Sequence, residues 1–447
     1  MTFDVIVIGS GQAGVPLATR LAGAGRRVLL AERGELGGTC INTGCTPTKT
    51  MLASARAAHV ARTAGRLGVR TGQVKVDLAA VVDRKDAMVR KWRDGVDRRL
   101  RAERLTVIRG HARFTGQRQV EVGGEIHGAE IVVINAGARP LVPPIEPPWL
   151  DSTTVMSLRE LPSHLLVLGG GYVGCEFGQM FRRFGSRVTI VDRLEHLMSH
   201  EDPEISSALE EAFREEGIDL ELNAKVVHVS GQVSVRLESG KELRGSHLLV
   251  AVGRRPNTDD LGCEKAGIRL DGKGFIVTDD EYRTSAPGVY AVGDVTGGPQ
   301  FTHTSWDDHR LLFDILLGRS HRGRRGRFIP YTAFTDPQVA GVGLTEKEAR
   351  ERGIPFEAAT MPFGDVARAI EVDEKAGLMK VLIDPKTERV LGAAIVGAEA
   401  GELIHVFVAL MQAGASASAI VDAEFVHPTF AEGLQSLVMK LERYALR

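Results

Sequence analysis

The sequence predicts an α/β protein with two Rossmann-like nucleotide-binding domains and a C-terminal α+β domain. An apolar, β-branched run, Phe3–Ile8, leads into the G-x-G-x-x-G turn Gly9–Gly14, and a helical pattern and a second apolar strand follow. The same order returns at Leu165–Val191, around the turn Gly169–Gly174. From about Phe328, extended and helical patterns alternate without such a turn. A motif repeated with the same internal spacing indicates two domains of one kind, followed by a third of another kind.

Each repeat predicts a binding site for a dinucleotide. Glycines in the turn let the backbone approach a pyrophosphate at the N-terminus of the next helix, and an acidic residue after the second strand can hold ribose hydroxyls. Glu32 and Asp192 lie at the same distance after Gly9 and Gly169. A chain that binds two dinucleotides is typical of electron transfer between a flavin and a nicotinamide.

Asp192 also predicts which nicotinamide dinucleotide is preferred. A carboxylate at this position accepts hydrogen bonds from a ribose 2′-hydroxyl and repels a 2′-phosphate. The neighbouring Arg193 is positively charged and would weaken that repulsion. We therefore expect NADH to be favoured over NADPH.

Composition limits the partners and the compartment. The 447 residues include 56 Lys and Arg against 57 Asp and Glu, so the charge gives no reason to expect nucleic acid or an anionic membrane as a partner. Four cysteines are too few for a secreted disulfide framework. The sequence shows neither a basic leader segment nor an apolar run of membrane-spanning length. We expect a cytoplasmic protein.

The stretch Gly37–Lys49 places two cysteines, Cys40 and Cys45, at i and i+5. A regular helix would hold their Cα atoms about 8–9 Å apart, whereas a disulfide needs about 4.4–6.8 Å. If the two cysteines pair, the backbone must bend between them, and Gly44 supplies the conformational freedom. The alternative is two buried cysteines that never meet.

The elements between these motifs are predicted from pattern and turn residues. A helix is expected at Thr46–Ala64, and one long helix or two adjoining helices with a solvated basic face at Val76–Arg104. A small β insertion is expected at Leu105–Val133. The arginine-rich segment His321–Arg327 is expected to be a solvated linker, and the last helix to span Phe430–Leu446.

Two short segments carry further candidate site residues. Gly288–Val295 predicts a strand that ends in a Gly-Asp turn, where Asp294 can contact a flavin ribityl or pyrophosphate group. Alternatively, Asp294 caps the helix predicted near Ser305–Leu317. His427 precedes a proline and lies five residues before Glu432, which suggests an oriented acid–base pair. The alternative is a loop histidine followed by a glutamate in the first helical turn.

Two motifs link these features to a known family. The pattern G-G-T-C-x-N-x-G-C-x-P-x-K is complete at Gly37–Lys49, and H-P-T-x-x-E is complete at His427–Glu432. With both nucleotide turns, the chain resembles the class I flavoprotein disulfide reductases (pyridine nucleotide-disulfide oxidoreductases), most closely the mercuric-reductase-like branch. The resemblance implies three domains. Residues 1–145 and 254–325 would bind FAD, residues 146–253 would bind NAD(P), and residues 326–447 would form the dimerisation domain.

The resemblance also implies roles for the residues of the redox site. Cys45 would be the charge-transfer thiol against the flavin, and Cys40 the interchange thiol that meets the substrate. Lys49 would lie near the flavin and pair with Glu176.

His427, held by Glu432, would be the base for the Cys40 thiol and would come from the other subunit, so a homodimer with shared active sites is implied. The implied FAD-binding positions are Gly9, Gly11, Gly14, Glu32, Gly38, Thr39, Lys49, Gly137 and Asp294. The implied NAD(P)-binding positions are Gly169, Gly171, Gly174, Asp192 and Gly253.

The implied activity passes electrons from NAD(P)H through FAD to a Cys40–Cys45 disulfide, and on to a metal ion such as Hg(II) or an oxidised thiol substrate. Dihydrolipoamide dehydrogenase and a redox-sensing flavoprotein with little turnover are alternatives. The stretch Glu442–Arg447 lacks the cysteine pair of true mercuric reductases, and we expect no N-terminal metal-binding domain. Cys40 and Cys45 alone can still bind Hg(II). No structural metal is expected.

Overall fold

A computed structural model describes residues 2–102, 105–231 and 233–445. The chain divides into two compact units. The first contains Met1–Met51, Ala80–Leu141 and Gly253–Arg327, and the second contains Leu52–Ala79, Val142–Val252 and Phe328–Arg447. The limits of the three functional domains given above stay a prediction.

The helices and strands are numbered in chain order. The α-helices are α1 (Gly14–Gly23), α2 (Gly38–Asn42), α3 (Cys45–Thr63), α4 (Leu78–Ala102), α5 (Tyr172–Phe184), α6 (Pro203–Glu215), α7 (Thr302–Leu316), α8 (Glu346–Glu351), α9 (Ala367–Glu371), α10 (Ala400–Ala413), α11 (Ser418–Val421) and α12 (Glu432–Met439). The first strands are β1 (Thr2–Ile8), β2 (Val28–Glu32), β3 (Thr106–Arg109), β4 (Arg113–Gly116), β5 (Gln119–Val122), β6 (Glu125–Ile134), β7 (Ala138–Pro140), β8 (His164–Leu168), β9 (Arg187–Val191) and β10 (Asp219–Glu221). The remaining strands are β11 (Val226–Ser230), β12 (Ser234–Leu237), β13 (Glu242–Arg244), β14 (His247–Val250), β15 (Arg254–Pro256), β16 (Val289–Ala291), β17 (Tyr331–Ala333), β18 (Gln338–Gly343), β19 (Glu357–Pro362), β20 (Leu378–Ile383) and β21 (Val390–Gly397).

The first unit is built on a sheet with the strand order β3-β2-β1-β6-β5-β4, and β16 also pairs with β6. Strands β2, β1, β6 and β16 are parallel. Val5 and Val7 pack in one hydrophobic core, and Ile6 and Ile8 in another, because successive side chains of β1 point to opposite faces. This arrangement brings the carboxyl ends of β1, β6 and β16 to one edge, where open α/β sheets bind ligands.

The strands predicted as a separate insertion are continuous with this sheet. β4, β5 and the first part of β6 form antiparallel pairs, whereas residues 128–134 of β6 pair with β1. One long strand therefore serves both the hairpins and the central sheet.

The second unit holds the second nucleotide turn and the C-terminal domain. β8, β9, β10 and β14 form a parallel sheet in the order β10-β9-β8-β14. β17 to β21 form an antiparallel sheet in the order β17-β18-β21-β20-β19. Its core includes Phe407 of α10 and Leu437 of α12, which explains why this α+β part needs both helices.

A buried lysine joins several segments of the second unit through ion pairs. Nζ of Lys380, on β20, lies 2.9 Å from Asp202, 2.5 Å from Glu204 and 2.6 Å from Glu346. Burial acts to raise the pKa of Asp202, but Lys380 and two backbone N–H groups hold this pKa below its usual value. The ammonium group thus neutralises a cluster of carboxylates that would otherwise repel one another.

Three predictions about surface segments need correction. The last helix is shorter than expected: α12 ends at Met439, a 3₁₀ turn follows at Glu442–Tyr444, and Leu446 lies outside the described residues. The segment His321–Arg327 is a linker that is solvated only in part, since Gly323 is buried and Arg327 is half-buried. Arg327 lies 2.9 Å from Asp308, and a Cβ atom at Gly323 would overlap the backbone of Asp280.

The basic face of α4 is not fully solvated either. Two nitrogens of Arg93 donate hydrogen bonds to Asn42 Oδ1, at 3.0 and 2.8 Å, and Arg84 donates one to the Thr50 carbonyl at 2.6 Å. Part of the positive charge on this helix therefore holds the segment that carries the two cysteines. The predicted end of the helix at Arg104 lies outside the described residues.

Within residues 2–102, 105–231 and 233–445, no helix combines the length and the apolar character needed to cross a lipid bilayer.

Candidate functional site

The first glycine-rich turn is fixed by close backbone contacts. Gly9 has φ +100°, and a Cβ atom there would lie 2.3 Å from the carbonyl oxygen of Asn135. A Cβ atom on Gly14 would lie 1.9 Å from the carbonyl oxygen of Gly9. Because no side chain fits at either position, the sequence folds into this tight turn only with glycine.

Glu32 supports the same turn through its carboxylate. One oxygen accepts hydrogen bonds from the backbone N–H of Ser10 at 2.8 Å and from its hydroxyl at 2.6 Å, and the other accepts from Gly34 N–H at 2.7 Å. Oε2 thus already accepts two hydrogen bonds, whereas Oε1 retains further acceptor capacity. Glu32 is thus held rigidly at the end of β2, where the sequence predicts a ribose contact.

The second turn repeats this geometry. Gly169 has φ +108°, and a Cβ atom there would lie 2.5 Å from the Ala251 carbonyl oxygen. A Cβ atom on Gly174 would lie 1.8 Å from the carbonyl oxygen of Gly169. Asp192 accepts hydrogen bonds from the N–H groups of Gly170, at 2.5 Å, and Leu194, at 2.9 Å. The internal repeat read from the sequence is therefore also a repeat in three dimensions.

Both turns have the features that a dinucleotide requires. At Gly171, an added Cβ atom would have no other atom within 4 Å, so the backbone is open to close approach. Gly137, which follows β6 and lies outside both turns, is equally open and has φ +69°. Each turn leads into a long helix, α1 or α5, whose N-terminus favours a negatively charged group. The residues present thus fit FAD at the first turn and NAD(P) at the second.

Gly253 and Asp294 both belong to the first unit. Gly253 has φ +131°, and its carbonyl accepts a hydrogen bond from Leu141 N–H at 2.9 Å. Asp294 lies in a 3₁₀ turn, Gly293–Thr296, after β16, and Phe301 precedes the first turn of α7, so Asp294 does not cap that helix. Burial raises the pKa of Asp294. The positive charge of the Arg254 guanidinium, 3.8 Å away, acts in the opposite direction and lowers this pKa in part.

The segment Gly37–Lys49, called the redox segment below, bends between two helices, as the sequence predicts. Cys40 lies in α2, Cys45 begins α3, and the backbone turns at Thr43 and Gly44. Gly44 is not among the residues with positive φ. Its contribution is close approach, because a Cβ atom there would lie 2.9 Å from the Thr39 carbonyl oxygen and 3.3 Å from Cys40 Cα.

The side chains of the two cysteines are in contact. A hydrogen bond with Cys45, together with burial, raises the pKa of the Cys40 thiol. Cys40 is half-buried and Cys45 is exposed. Because the thiolate is the nucleophile, Cys40 needs a base to react at neutral pH.

Thr302 contacts the cysteine pair and was not identified from the sequence. Its hydroxyl lies 3.1 Å from Cys45 Sγ, and its hydrogen bond to Cys40 acts to lower the pKa of that thiol. Thr302 is the first residue of α7, a 15-residue helix whose N-terminus favours a nearby thiolate. The sequence signal was the break at Gly297–Pro299, which places the helix start before the predicted Ser305.

His427 and Glu432 form the predicted pair. His427 Nδ1 lies 2.9 Å from Glu432 Oε2, and the histidine side chain is 71% exposed. The other carboxylate oxygen accepts a hydrogen bond from Thr429 N–H at 3.3 Å. With Nδ1 bound to the carboxylate, Nε2 is the nitrogen that faces outward for proton transfer.

Lys49 and Glu176 lie in different units, and their pairing stays a prediction. Within the second unit, Glu176 accepts a hydrogen bond from Phe334 N–H at 2.9 Å. The remaining cysteines fit packing roles: Cys175 and Cys263 are buried, and burial raises the pKa of Cys263 to about 11.

These features define a class of protein with a glycine-rich nucleotide turn in each of two units and a contacting pair of cysteines in the first. A family model for pyridine nucleotide-disulphide oxidoreductases matches residues 3–308, and the model for the dimerisation domain of that family matches residues 329–438. The chain belongs to the pyridine nucleotide-disulphide oxidoreductase family. The family is FAD-dependent and uses NAD(P)H, and the dimerisation domain indicates a homodimer.

Three relatives bear different names. The chain is 37% identical to dihydrolipoyl dehydrogenase of Thermus scotoductus, over 100% of this chain and 98% of that protein. It is 38% identical to the probable pyridine nucleotide-disulfide oxidoreductase RclA of Escherichia coli, over 97% of this chain and 98% of that protein. It is 35% identical to mercuric reductase of Staphylococcus aureus, over 99% of this chain and 83% of that protein.

A solved structure shares the fold. The Cu(II) complex of the HOCl-induced flavoprotein disulfide reductase RclA from Escherichia coli superposes with a TM-score of 0.89 at 36% identity, covering 98% of this chain and 99% of that one. The family resemblance and the fold class read from the sequence are therefore confirmed, whereas the relatives differ in the substrates that their names state.

The contact between Thr302 and the cysteines yields a prediction. The Thr302→Val substitution keeps the shape of the side chain but removes the hydroxyl, so the pKa of the reduced pair should rise. We expect iodoacetamide to modify the reduced cysteines about threefold to tenfold more slowly near pH 7. The pH at which the alkylation rate is half-maximal should move upward by about 0.5–1 unit, which is the logarithm of that factor.

Thr304→Val is the matched control, because Thr304 lies on the same helix and its buried hydroxyl has no hydrogen-bond partner among the residues that the structure describes. Equal alkylation rates for Thr302→Val and the wild type would show that this hydroxyl does not influence the thiols.

Proposed function

We propose that this protein is an NAD(P)H-dependent flavoenzyme that reduces a metal ion, such as Hg(II), or an oxidised thiol compound through Cys40 and Cys45. The observation that carries this proposal is the hydrogen-bonded cysteine pair at the N-terminus of α7. FAD, when bound, supplies the two-electron transfer between NAD(P)H and this pair. The remaining steps belong to the side chains of the chain itself.

Cys40 is the proposed nucleophile toward an oxidised thiol compound. Its thiolate attacks one sulfur of the substrate, the substrate disulfide breaks, and the first product thiol leaves. Cys45 then attacks the Cys40 sulfur of the mixed disulfide, which releases the second product thiol and forms the Cys40–Cys45 disulfide. Two electrons have moved from the cysteine pair to the substrate.

The proposed base is His427. The carboxylate of Glu432 fixes its Nδ1, so Nε2 is free to take the proton of the Cys40 thiol. The raised pKa of Cys40 explains why a base is needed at all. As in the family that the chain resembles, we propose that this histidine comes from the second copy of the chain.

A metal-ion substrate would use the same two sulfur atoms. Soft ions such as Hg(II) and copper prefer thiolate ligands. The solved RclA of Escherichia coli was obtained as a Cu(II) complex. That relative favours including copper among the candidate substrates, beside mercury. Dihydrolipoamide dehydrogenase activity is the second candidate, favoured by the Thermus scotoductus relative.

NADH is the proposed electron donor. Two backbone N–H groups fix the Asp192 carboxylate at the end of β9, where it would face the ribose of a nucleotide on the second turn. Arg193 is exposed and adds an opposing charge. The proposal is therefore a preference for NADH, with some use of NADPH.

Substrate turnover tests the relay. Purified, FAD-loaded protein would be given NADH or NADPH with Hg(II), Cu(II), lipoamide or glutathione disulfide, beside the Cys45→Ser variant. We expect faster NADH oxidation with at least one of these acceptors and loss of nearly all of it in the variant. Turnover with lipoamide alone would favour the dehydrogenase, and full activity of the variant on every acceptor would refute the cysteine relay. The Cys263→Ser variant controls for loss of a thiol outside the pair.

The proposed dimer is supported by helix α10, which carries no charged group from Leu403 to Ala413 apart from the titratable His405, as expected for a helix covered on all sides.

Mixed dimers test the shared active site. Cys45→Ser and His427→Ala homodimers should each be inactive. After the two are unfolded and refolded together, about a quarter of the wild-type activity should return, because half of the dimers are mixed and each mixed dimer has one intact site.

If each chain instead supplied its own histidine, every site in the mixed dimer would hold one defect. The mixture would then stay inactive, which would contradict the shared arrangement. Refolded wild type provides the reference for recovery.

A further inference from the structure

The side chain of Asn135 lies at the meeting point of three chain segments in the first unit. Its Oδ1 accepts a hydrogen bond from Gly14 N–H at 2.9 Å, and its Nδ2 donates one to the Val292 carbonyl at 3.2 Å. The orientation of the amide is determined by these partners, because an N–H needs an acceptor and a carbonyl needs a donor. Asn135 is 7% exposed, so both bonds are shielded from water.

The neighbouring glycines are built around this amide. A Cβ atom on Gly11 would lie 2.9 Å from Asn135 Oδ1, and one on Gly293 would lie 2.9 Å from Asn135 Nδ2. Because neither position carries a Cβ atom, both glycines pack directly against the Asn135 amide. The Gly293 N–H is held from the other side by Asp308, at 2.9 Å.

The three segments joined by Asn135 follow the carboxyl ends of β1, β6 and β16, which are parallel neighbours in one sheet. All three carry predicted FAD positions: the turn Gly9–Gly14, the turn with Asp294, and the segment that leads from Asn135 itself to Gly137. These turns are separated widely in sequence, and the contacts of Asn135 add to the pairing of the three strands in setting their spacing.

We infer that Asn135 is a positioning residue for FAD, because its amide fixes the spacing between the first glycine-rich turn and the Gly293–Asp294 turn. This inference rests on the proposed function, in which the first unit binds FAD. Asn135 does not need to touch the cofactor. Without the amide, Gly14 N–H and the Val292 carbonyl lose their buried partners, and the two turns lose the tie that holds them ready for the ligand.

The test measures FAD affinity and not turnover. Full-length holoenzyme of the wild type and of Asn135→Ala is diluted, and the fluorescence of released FAD gives the dissociation constant. We expect this constant to rise about tenfold or more in the variant, as for the loss of two buried hydrogen bonds. The melting temperature of each FAD-free protein is measured in parallel.

Gln338→Ala is the matched control. Gln338 Oε1 also accepts a hydrogen bond from a backbone N–H at the start of a helix, that of Gly401 at 2.9 Å, but it lies in the second unit. We expect this variant to lower the melting temperature and leave the dissociation constant of FAD unchanged.

Two results would overturn the inference: a dissociation constant for Asn135→Ala within twofold of the wild type, or equal weakening in Gln338→Ala. If Asn135→Ala does not fold, Asn135→Ser is measured by the same criteria. Failure of the wild type to bind FAD would instead contradict the proposed function, so the two failures are distinguishable.

Discussion

Close backbone approach is the constraint on which this site depends. Four glycines stand where a Cβ atom would overlap other backbone atoms: Gly9 against Asn135, Gly14 against Gly9, Gly38 against Gly11, and Gly44 against Thr39. The contact of Gly38 with Gly11 packs the start of the redox segment on the first nucleotide turn. The contact of Gly44 with Thr39 brings Cys45 back toward Cys40. Because glycine allows these backbone contacts, the first nucleotide turn and the cysteine pair lie side by side.

Polar side chains then fix what the glycines permit. Arg93 reaches from α4 to Asn42 and so holds the helix that carries Cys40. Thr302 brings a hydroxyl and a helix N-terminus to the sulfur atoms. Glu432 orients His427. Arg93 and Thr302 either restrain the cysteine pair or change the ease with which a thiol loses its proton, which is what a thiol–disulfide relay requires. That His427 acts on the same thiol is our proposal.

Local features were predictable, and distant contacts were not. The two glycine-rich turns, the bend at Gly44 and the His427–Glu432 pair are short motifs, and the structure shows all of them. Thr302 and Asn135 were not predicted because their partners lie far away in sequence: Thr302 contacts Cys45, and Asn135 contacts Gly14. The arginines of α4 and of His321–Arg327 looked solvated because composition does not reveal which carboxylates and carbonyls meet them in the fold. Gly44 was identified correctly, but it serves close approach and not a positive φ.

The central claim is that Cys40 and Cys45 store a pair of electrons in addition to those held by the flavin. An anaerobic titration of FAD-loaded protein with dithionite tests it most directly, with the flavin spectrum showing when reduction is complete. The wild type should consume twice as much reductant per flavin as the Cys45→Ser variant, because its disulfide takes up a second electron pair. Equal consumption by the two proteins would contradict the account and show that the flavin works without the cysteines.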